Sequence, residues 1–189
     1  TLAVLEEVLF AQTWSHKTPR HFVLECARIA LNKNFFEFEN NIYLQTHGTS
    51  MGSTFATSVA GLYVHHLEIN HILQVTNTFL NHISVWKRDI DDVLLIWDGT
   101  RQQLSSFLNW FNTQDSFLKF THMASEKSLV FLDLEIQANN WYLSTITHEK
   151  LTATNNLLLF NSFHPRCLRE NLPYGQFLHL RRNCSELTD

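Results

Sequence analysis

Apolar residues recur at helical spacing at the start of the chain, at Leu2, Leu5, Val8 and Leu9, and again at Val23, Ala27, Ala30 and Leu31. Two helices are therefore predicted in the first third, broken at Thr18 and Pro19. The pattern then becomes two β-prone runs, Phe35 to Glu39 and Ile42 to Gln45, around Asn40-Asn41, a dipeptide that tolerates positive φ. That predicts a hairpin. A helix follows from about Thr54 to Leu73, with Val59, Leu62, His66, Ile69 and Leu73 on one face. Ala56, Ala60 and Gly61 are small enough to let another backbone approach it. From Ile83 to Trp97 the order is strand, acidic interruption, strand, which reads as a second hairpin with acids at its tip. Asp98-Gly99-Thr100 then opens a helix carrying Leu104, Phe107, Leu108 and Phe111. Extended segments are predicted around 117–123, 129–136 and 141–146, followed by a helix at Pro165 and a final helix from about Pro173.

Composition narrows the class. The chain has 189 residues, 44% of them hydrophobic, with no repeat, low-complexity tract or flexible linker, so one globular domain with a sizeable core is expected. The formal net charge of −4 argues against holding nucleic acid by bulk charge, although residues 14–33 carry Lys17, Arg20, Arg28 and Lys33 against Glu25. Three widely spaced cysteines, Cys26, Cys167 and Cys184, form no CxxC pair and favour a reducing, intracellular setting, nuclear or cytoplasmic. The longest apolar runs are far shorter than the roughly 20 residues of a spanning helix, so no membrane is expected. The abrupt opening on Thr1, already in helical pattern, reads as a cut from something longer.

Two features carry candidate chemistry. Asp89-Ile90-Asp91-Asp92 places three acids in four residues between apolar strands. Like charges this close repel, and a hard divalent cation bound by one or two carboxylates and substrate phosphates relieves the repulsion. Alternation would put Asp89 and Asp91 on one side of the strand and Asp92 on the other. From chemistry alone an exposed acidic turn is the commoner account of such a cluster. The second feature is Gly48-Thr49-Ser50-Met51-Gly52-Ser53. Gly48, Gly52 and Gly61 lie within 14 residues of a chain that holds only five glycines, so this tight loop makes unusual backbone demands.

The order of these pieces resembles the reverse transcriptase domain of Penelope-like retroelements over almost the whole chain. The resemblance is carried by Gln45 to Ala56, by Trp86-Lys87-Arg88-Asp89-Ile90-Asp91-Asp92-Val93-Leu94 and by Phe131-Leu132-Asp133-Leu134. It extends to Ser162-Phe163-His164-Pro165, to Pro173-Tyr174-Gly175-Gln176-Phe177 and to Arg181-Arg182-Asn183-Cys184-Ser185. The resemblance implies an α+β fold, a palm-like antiparallel sheet with helices on one face. Residues 1–189 would form a single partial domain, fingers and palm over about 1–147 and the start of a thumb over about 148–189. It implies two-metal nucleotidyl transfer with Mg²⁺ or Mn²⁺, an RNA template, a DNA primer and deoxynucleoside triphosphates. Asp91 takes the role of metal ligand with Asp92 in support and Asp89 as a further candidate. Gly48, Thr49, Ser50, Met51 and Gly52 form the loop beside the templating base and incoming nucleotide. Lys127 is placed to assist pyrophosphate departure, and Tyr174, Arg181 and Arg182 lie near the duplex.

The chain departs from the family at two points. Asp89 stands where the family has a tyrosine, so a carboxylate replaces the aromatic surface that meets the primer end. The family's other metal-binding aspartate belongs to a strand before the first helix and is not in this sequence, and Asp133 belongs to a different conserved strand. Loss of that ligand should lower the rate by several powers of ten, so a decayed or inactive copy is expected.

Three other readings remain open. One is a non-catalytic nucleic-acid-binding remnant. Another is a zinc site on His164, Cys167, His179 and Cys184. The last is a metal-dependent nuclease built on Asp89, Asp91 and Asp92 with Asp98 nearby. On the helix, His65, His66 and His71 form no HExxH motif and read as satisfied or partly exposed.

Overall fold

A computed structural model describes residues 2–11, 13–50, 52–150, 158–159 and 161–186. They form two compact units, Thr1–Phe120 and Thr121–Asp189. The class is α+β, and every strand pairing among the described residues is antiparallel. Among the described residues the sheets are small and separate, two of two strands and one of three. No helix among those residues is long and apolar enough to cross a membrane.

In the first unit, helices α1 (Leu2–Ala11) and α2 (Arg20–Asn32) lie where the apolar spacing places them. Strands β1 (Phe35–Phe38) and β2 (Asn41–Leu44) form the first hairpin. Its Glu39-Asn40 turn is left-handed at both residues, with φ of 51° and 60°, which matches the right-handed twist of the flanking strands. Phe35, Phe36, Phe38, Ile42, Tyr43 and Leu44 are all exposed. The buried core is accordingly smaller than the apolar fraction implies.

Helix α3 (Thr54–Leu67) departs from the predicted face. Its buried row is Ala56, Val59 and Leu67, and the chain then opens into a π-helical turn over Glu68–Ile72, closed by Leu73 N–H donating to the Glu68 carbonyl at 2.9 Å. The wider turn ends the 3.6-residue projection. Glu68 and Ile72 point inward, while Ile69 and Leu73, expected inside, are exposed. Gly61 has open space where a Cβ would be, so it marks no close backbone approach.

Strands β3 (Ile83–Asp89) and β4 (Asp92–Trp97) form the second hairpin. A bulge between Ile83 and Val85 shifts the register, so Ile83 and Trp86 share a face although they are three residues apart. With their partners Trp97 and Leu95 they pack on the core of Ile72, Phe107 and Phe111. Helix α4 (Arg101–Gln114) supplies Phe107 and Phe111. It begins at a capping box in which Thr100 Oγ1 accepts from Gln103 N–H at 3.2 Å and Gln103 Oε1 accepts from Thr100 N–H at 2.8 Å. The segment 117–123 is not a strand. The Asn112 amide bonds both the N–H and the C=O of Phe120, and Asp115 Oδ1 accepts from Phe117 and Leu118 N–H, so side chains satisfy backbone groups that a neighbouring strand would otherwise pair.

The second unit is a meander of β5 (Ser128–Phe131), β6 (Leu134–Ala138) and β7 (Leu143–Thr147) with helix α5 (Arg166–Asn183). The predicted extended run 129–136 is two strands, reversed at Leu132-Asp133 with Leu132 at φ 57°. The two predicted C-terminal helices are one. Pro173 sits inside α5, where it removes only the bond to the Arg169 carbonyl, and the helix continues on both sides. Beyond α5, Ser185 is tied to β7 through Thr145 by bonds of 2.8 Å in both directions.

Candidate metal-binding hairpin tip

The three acids surround a two-residue turn. Asp89 and Asp92 are the last paired residues of β3 and β4, directly opposite one another, and Ile90-Asp91 makes the reversal. This revises the alternation argument. Cross-strand partners share a face, so Asp89 lies with Asp92, and Asp91 stands in the turn itself. All three are exposed. Ile90 adopts φ 53°, a left-handed conformation that is unusual for a β-branched residue and recurs at functional turns.

The face of β3 opposite to Asp89 carries Arg88, and its side chain is 15% exposed. Its guanidinium reaches four oxygens. Nε donates to Glu68 Oε1 at 2.8 Å, and Nη2 donates to Glu68 Oε2 and to the Gly61 carbonyl, both at 3.2 Å. Nη1 donates to the Ile90 carbonyl at 2.9 Å. Glu68 also accepts from Trp86 Nε1–H at 2.9 Å, and His65 Nδ1 lies 3.7 Å away. Burial by itself would raise the Glu68 pKa. The hydrogen bonds from Arg88 and Trp86, with the charges of Arg88 and His65, outweigh it and hold the carboxyl below its ordinary value. His66 is bonded to Asn70 at 2.8 Å, so the helix histidines at 65 and 66 have partners within the fold.

The glycine loop shows the backbone demand expected of it. Gly48 and Gly52 have φ of 77° and 87°, and Met51 lies outside the described residues. Gln45 anchors the loop: its Oε1 accepts from Asn34 Nδ2 and its Nε2 donates to the His47 carbonyl at 2.8 Å. Thr49, Ser50 and Ser53 line a cavity of about 10 Å³ against Ala30, Leu31 and Asn34, room for one water molecule. The loop feeds α3, and the Gly61 carbonyl that meets Arg88 lies about 12 Å along that helix from Ser53.

The other predicted residues fall elsewhere. Lys127 precedes β5 in the second unit, where its carbonyl accepts from Ala138 N–H at 2.7 Å. Tyr174, Arg181 and Arg182 are exposed on α5. The four zinc candidates have other neighbours: His164 beside Ser162 at 3.2 Å, His179 4.0 Å from Asp133, Cys184 beside Thr147 at 3.6 Å, and Cys167 exposed. Among the described residues no three His, Cys, Asp or Glu side chains gather as a metal-holding set. In the basic segment 14–33, Arg28 pairs with Glu25 at 2.6 Å, and Arg20 lies over the Phe10 and Trp14 rings at 5.5 and 5.8 Å.

Glu68 is the residue that sequence reasoning missed. Its one signal in the sequence, a place between His66 and His71 on the predicted helix, resembles a metal pattern only weakly and does not point to Arg88, which meets Glu68 once the π turn brings the acid inward. Comparison with protein-family models, with curated proteins and with solved structures returns no match.

Proposed function

We propose that the chain is a partial reverse transcriptase domain of Penelope-like descent, and that its acidic hairpin tip holds a divalent cation, Mg²⁺ or Mn²⁺. The observation that carries this reading is the turn itself. A left-handed Ile90, fixed at its carbonyl by Arg88, presents Asp91 and Asp92 to solvent beside α3. Hard carboxylate oxygens fit such an ion, and Mg²⁺ is commonly bound by one or two carboxylates, with waters and substrate phosphates completing its shell. An ion bound there would favour ionisation of a primer 3′-hydroxyl and offset charge on the α-phosphate of a deoxynucleoside triphosphate. Asp91 is the primary ligand and Asp92 its support. Asp89, on the same face as Asp92, adds a negative charge where a primer phosphate would approach, and with the resemblance's second metal-binding aspartate wanting, little or no synthesis by these residues is expected.

Primer extension on poly(rA)/oligo(dT) tests the proposal. With Mg²⁺ or Mn²⁺, any synthesis is expected to lie several powers of ten below that of a complete two-metal site, to be abolished by Asp91→Asn and not to be restored by Asp89→Tyr alone. Synthesis indifferent to Asp91→Asn would remove the tip from the mechanism.

A second reading, nucleic-acid binding without synthesis, is favoured by α5. Tyr174, Phe177 and Arg181 stand at i, i+3 and i+7, and the two rings are 64% and 61% exposed, an arrangement suited to base stacking beside a cation. Fluorescence anisotropy with a labelled RNA–DNA duplex should then show salt-sensitive binding, with a log–log salt slope reduced by about one in Arg181→Ala. No binding at low salt would discard it.

A further inference from the structure

We propose that Glu68 is a positioning residue for the Asp91 and Asp92 carboxylates, acting through Arg88. The inference rests on reading the tip as a divalent-cation site. It concerns residues that take no part in ligating the ion.

A two-residue turn at the end of an exposed hairpin has little to hold it. No side chain of the tip is buried, and the two residues that close the ladder, Asp89 and Asp92, repel one another. The turn is also built on Ile90 in a conformation that its β-branched side chain disfavours, which persists only where surrounding structure imposes it. The bond from Arg88 Nη1 to the Ile90 carbonyl supplies that imposition, because it fixes the peptide unit that joins Ile90 to Asp91.

Arg88 can serve this way only if its own plane is fixed. Nε and Nη2 engage the two oxygens of Glu68, and Nη2 also meets the Gly61 carbonyl, which leaves Nη1 aimed at the turn. A planar fork with five donors makes these contacts together, whereas a lysine ammonium at the end of a flexible stem cannot. Glu68 in turn is held inward by the π turn that begins at its own position and by Trp86 Nε1–H. Buried core, π turn, Glu68, Arg88 and Ile90 carbonyl therefore form a continuous chain of fixed contacts ending at the residue before Asp91.

Mn²⁺ titration followed by electron paramagnetic resonance, combined with backbone ¹⁵N relaxation, tests the brace. The parent chain, Arg88→Lys, Glu68→Gln, the double variant and Asp91→Asn would be compared, with unchanged circular dichroism and tryptophan emission as the check on folding. Asp91→Asn should abolish tip binding. Arg88→Lys and Glu68→Gln should each weaken Mn²⁺ about tenfold, as loss of an outer partner of a metal ligand commonly does. Their effects should be non-additive in the double variant, because they act through one another. Order parameters at Ile90 and Asp91, about 0.85 in the parent, should fall below about 0.6 in Arg88→Lys while those of α3 and β3 hold. If the parent binds Mn²⁺ and both single variants bind it equally well, or their effects simply add, the brace is wrong. If the parent binds no Mn²⁺, the reading of the tip as a cation site fails, and the order parameters alone decide the brace: unchanged values at Ile90 and Asp91 would overturn it, and a fall confined to them would support it.

Discussion

Arg88→Met should destabilise the first unit by about 3–5 kcal/mol, the cost of leaving a buried charge without its partner. The Glu68 and Arg88 side chains are 8% and 15% exposed, so neither can turn to water without rearranging the hairpin. After the substitution Glu68 keeps Trp86 Nε1–H as a donor but loses both guanidinium bonds. Replacing both partners, as in Arg88→Met with Glu68→Leu, should recover much of the loss, since an apolar pair of similar volume carries no unpaired charge. Urea unfolding followed by tryptophan emission reads this directly, because Trp86 and Trp97 lie in the same hairpin. A single-variant cost under about 1 kcal/mol would mean that the pair behaves as an exposed one.

The same pair sets a pH dependence. The Glu68 pKa is lower in the folded chain than its ordinary 4.5, so its contribution to stability is fully present above that value. It is lost as pH falls through the depressed folded value, because protonation then occurs more readily in the unfolded chain. Asp115 behaves alike below its ordinary 3.8. Burial would raise it, but the Tyr63 hydroxyl, the Leu118 and Phe117 N–H groups and the Lys119 charge hold it down. Part of the acid-side decline below about pH 4.5 should therefore disappear in Glu68→Gln and part remain, and a decline unchanged in that variant would assign it wholly to other carboxylates.

Phe107→Ala is the second large effect, about 3–5 kcal/mol. Phe107 is fully buried, and its ring lies 5.6 Å from Phe79, 5.3 Å from Trp97, 6.3 Å from Trp86 and 6.1 Å from both Trp110 and Phe111. Deleting it removes the shared partner of five aromatic rings, and rigid rings on several elements close a cavity poorly, which places the cost toward the upper end. Val75→Ala in the same unit, at a position 92% exposed, should change stability by less than about 0.5 kcal/mol. A loss at Phe107 no larger than that at Val75 would show that this cluster is not the centre of the first unit.

Those aromatic positions were readable in the sequence in part. Leu104, Phe107, Leu108 and Phe111 fall on one helical face, and Thr100 with Gln103 is a local capping pair, so α4 follows from signals within a few residues. Both hairpins are local as elements, but their registers were not read: the first reverses at Glu39-Asn40 and not at Asn40-Asn41, and in the second Asp89 and Asp92 belong to the strands and only Ile90-Asp91 to the turn. The acids at the tip were legible because they are neighbours in sequence. Which acids share a face was not, since alternation ceases at the turn and the bulge at Ser84 shifts the register below it.

The brace behind the tip lay beyond sequence reasoning altogether. Glu68 and Arg88 are 20 residues apart, and their meeting depends on a π turn that no propensity marks and on β3 presenting Arg88 to the core side. The same limit explains the missed run at 117–123, where Asn112 supplies from eight residues away the bonds that a strand would have made. By itself the sequence determined what is decided between near neighbours: the start of α4, the existence of both hairpins, the glycine loop and the clustering of acids at one hairpin tip. Only the tertiary structure decided which buried charge meets which, because a side chain's partner across the core depends on register, bulge and helical pitch summed over tens of residues, where a shift of one position turns it to the opposite face.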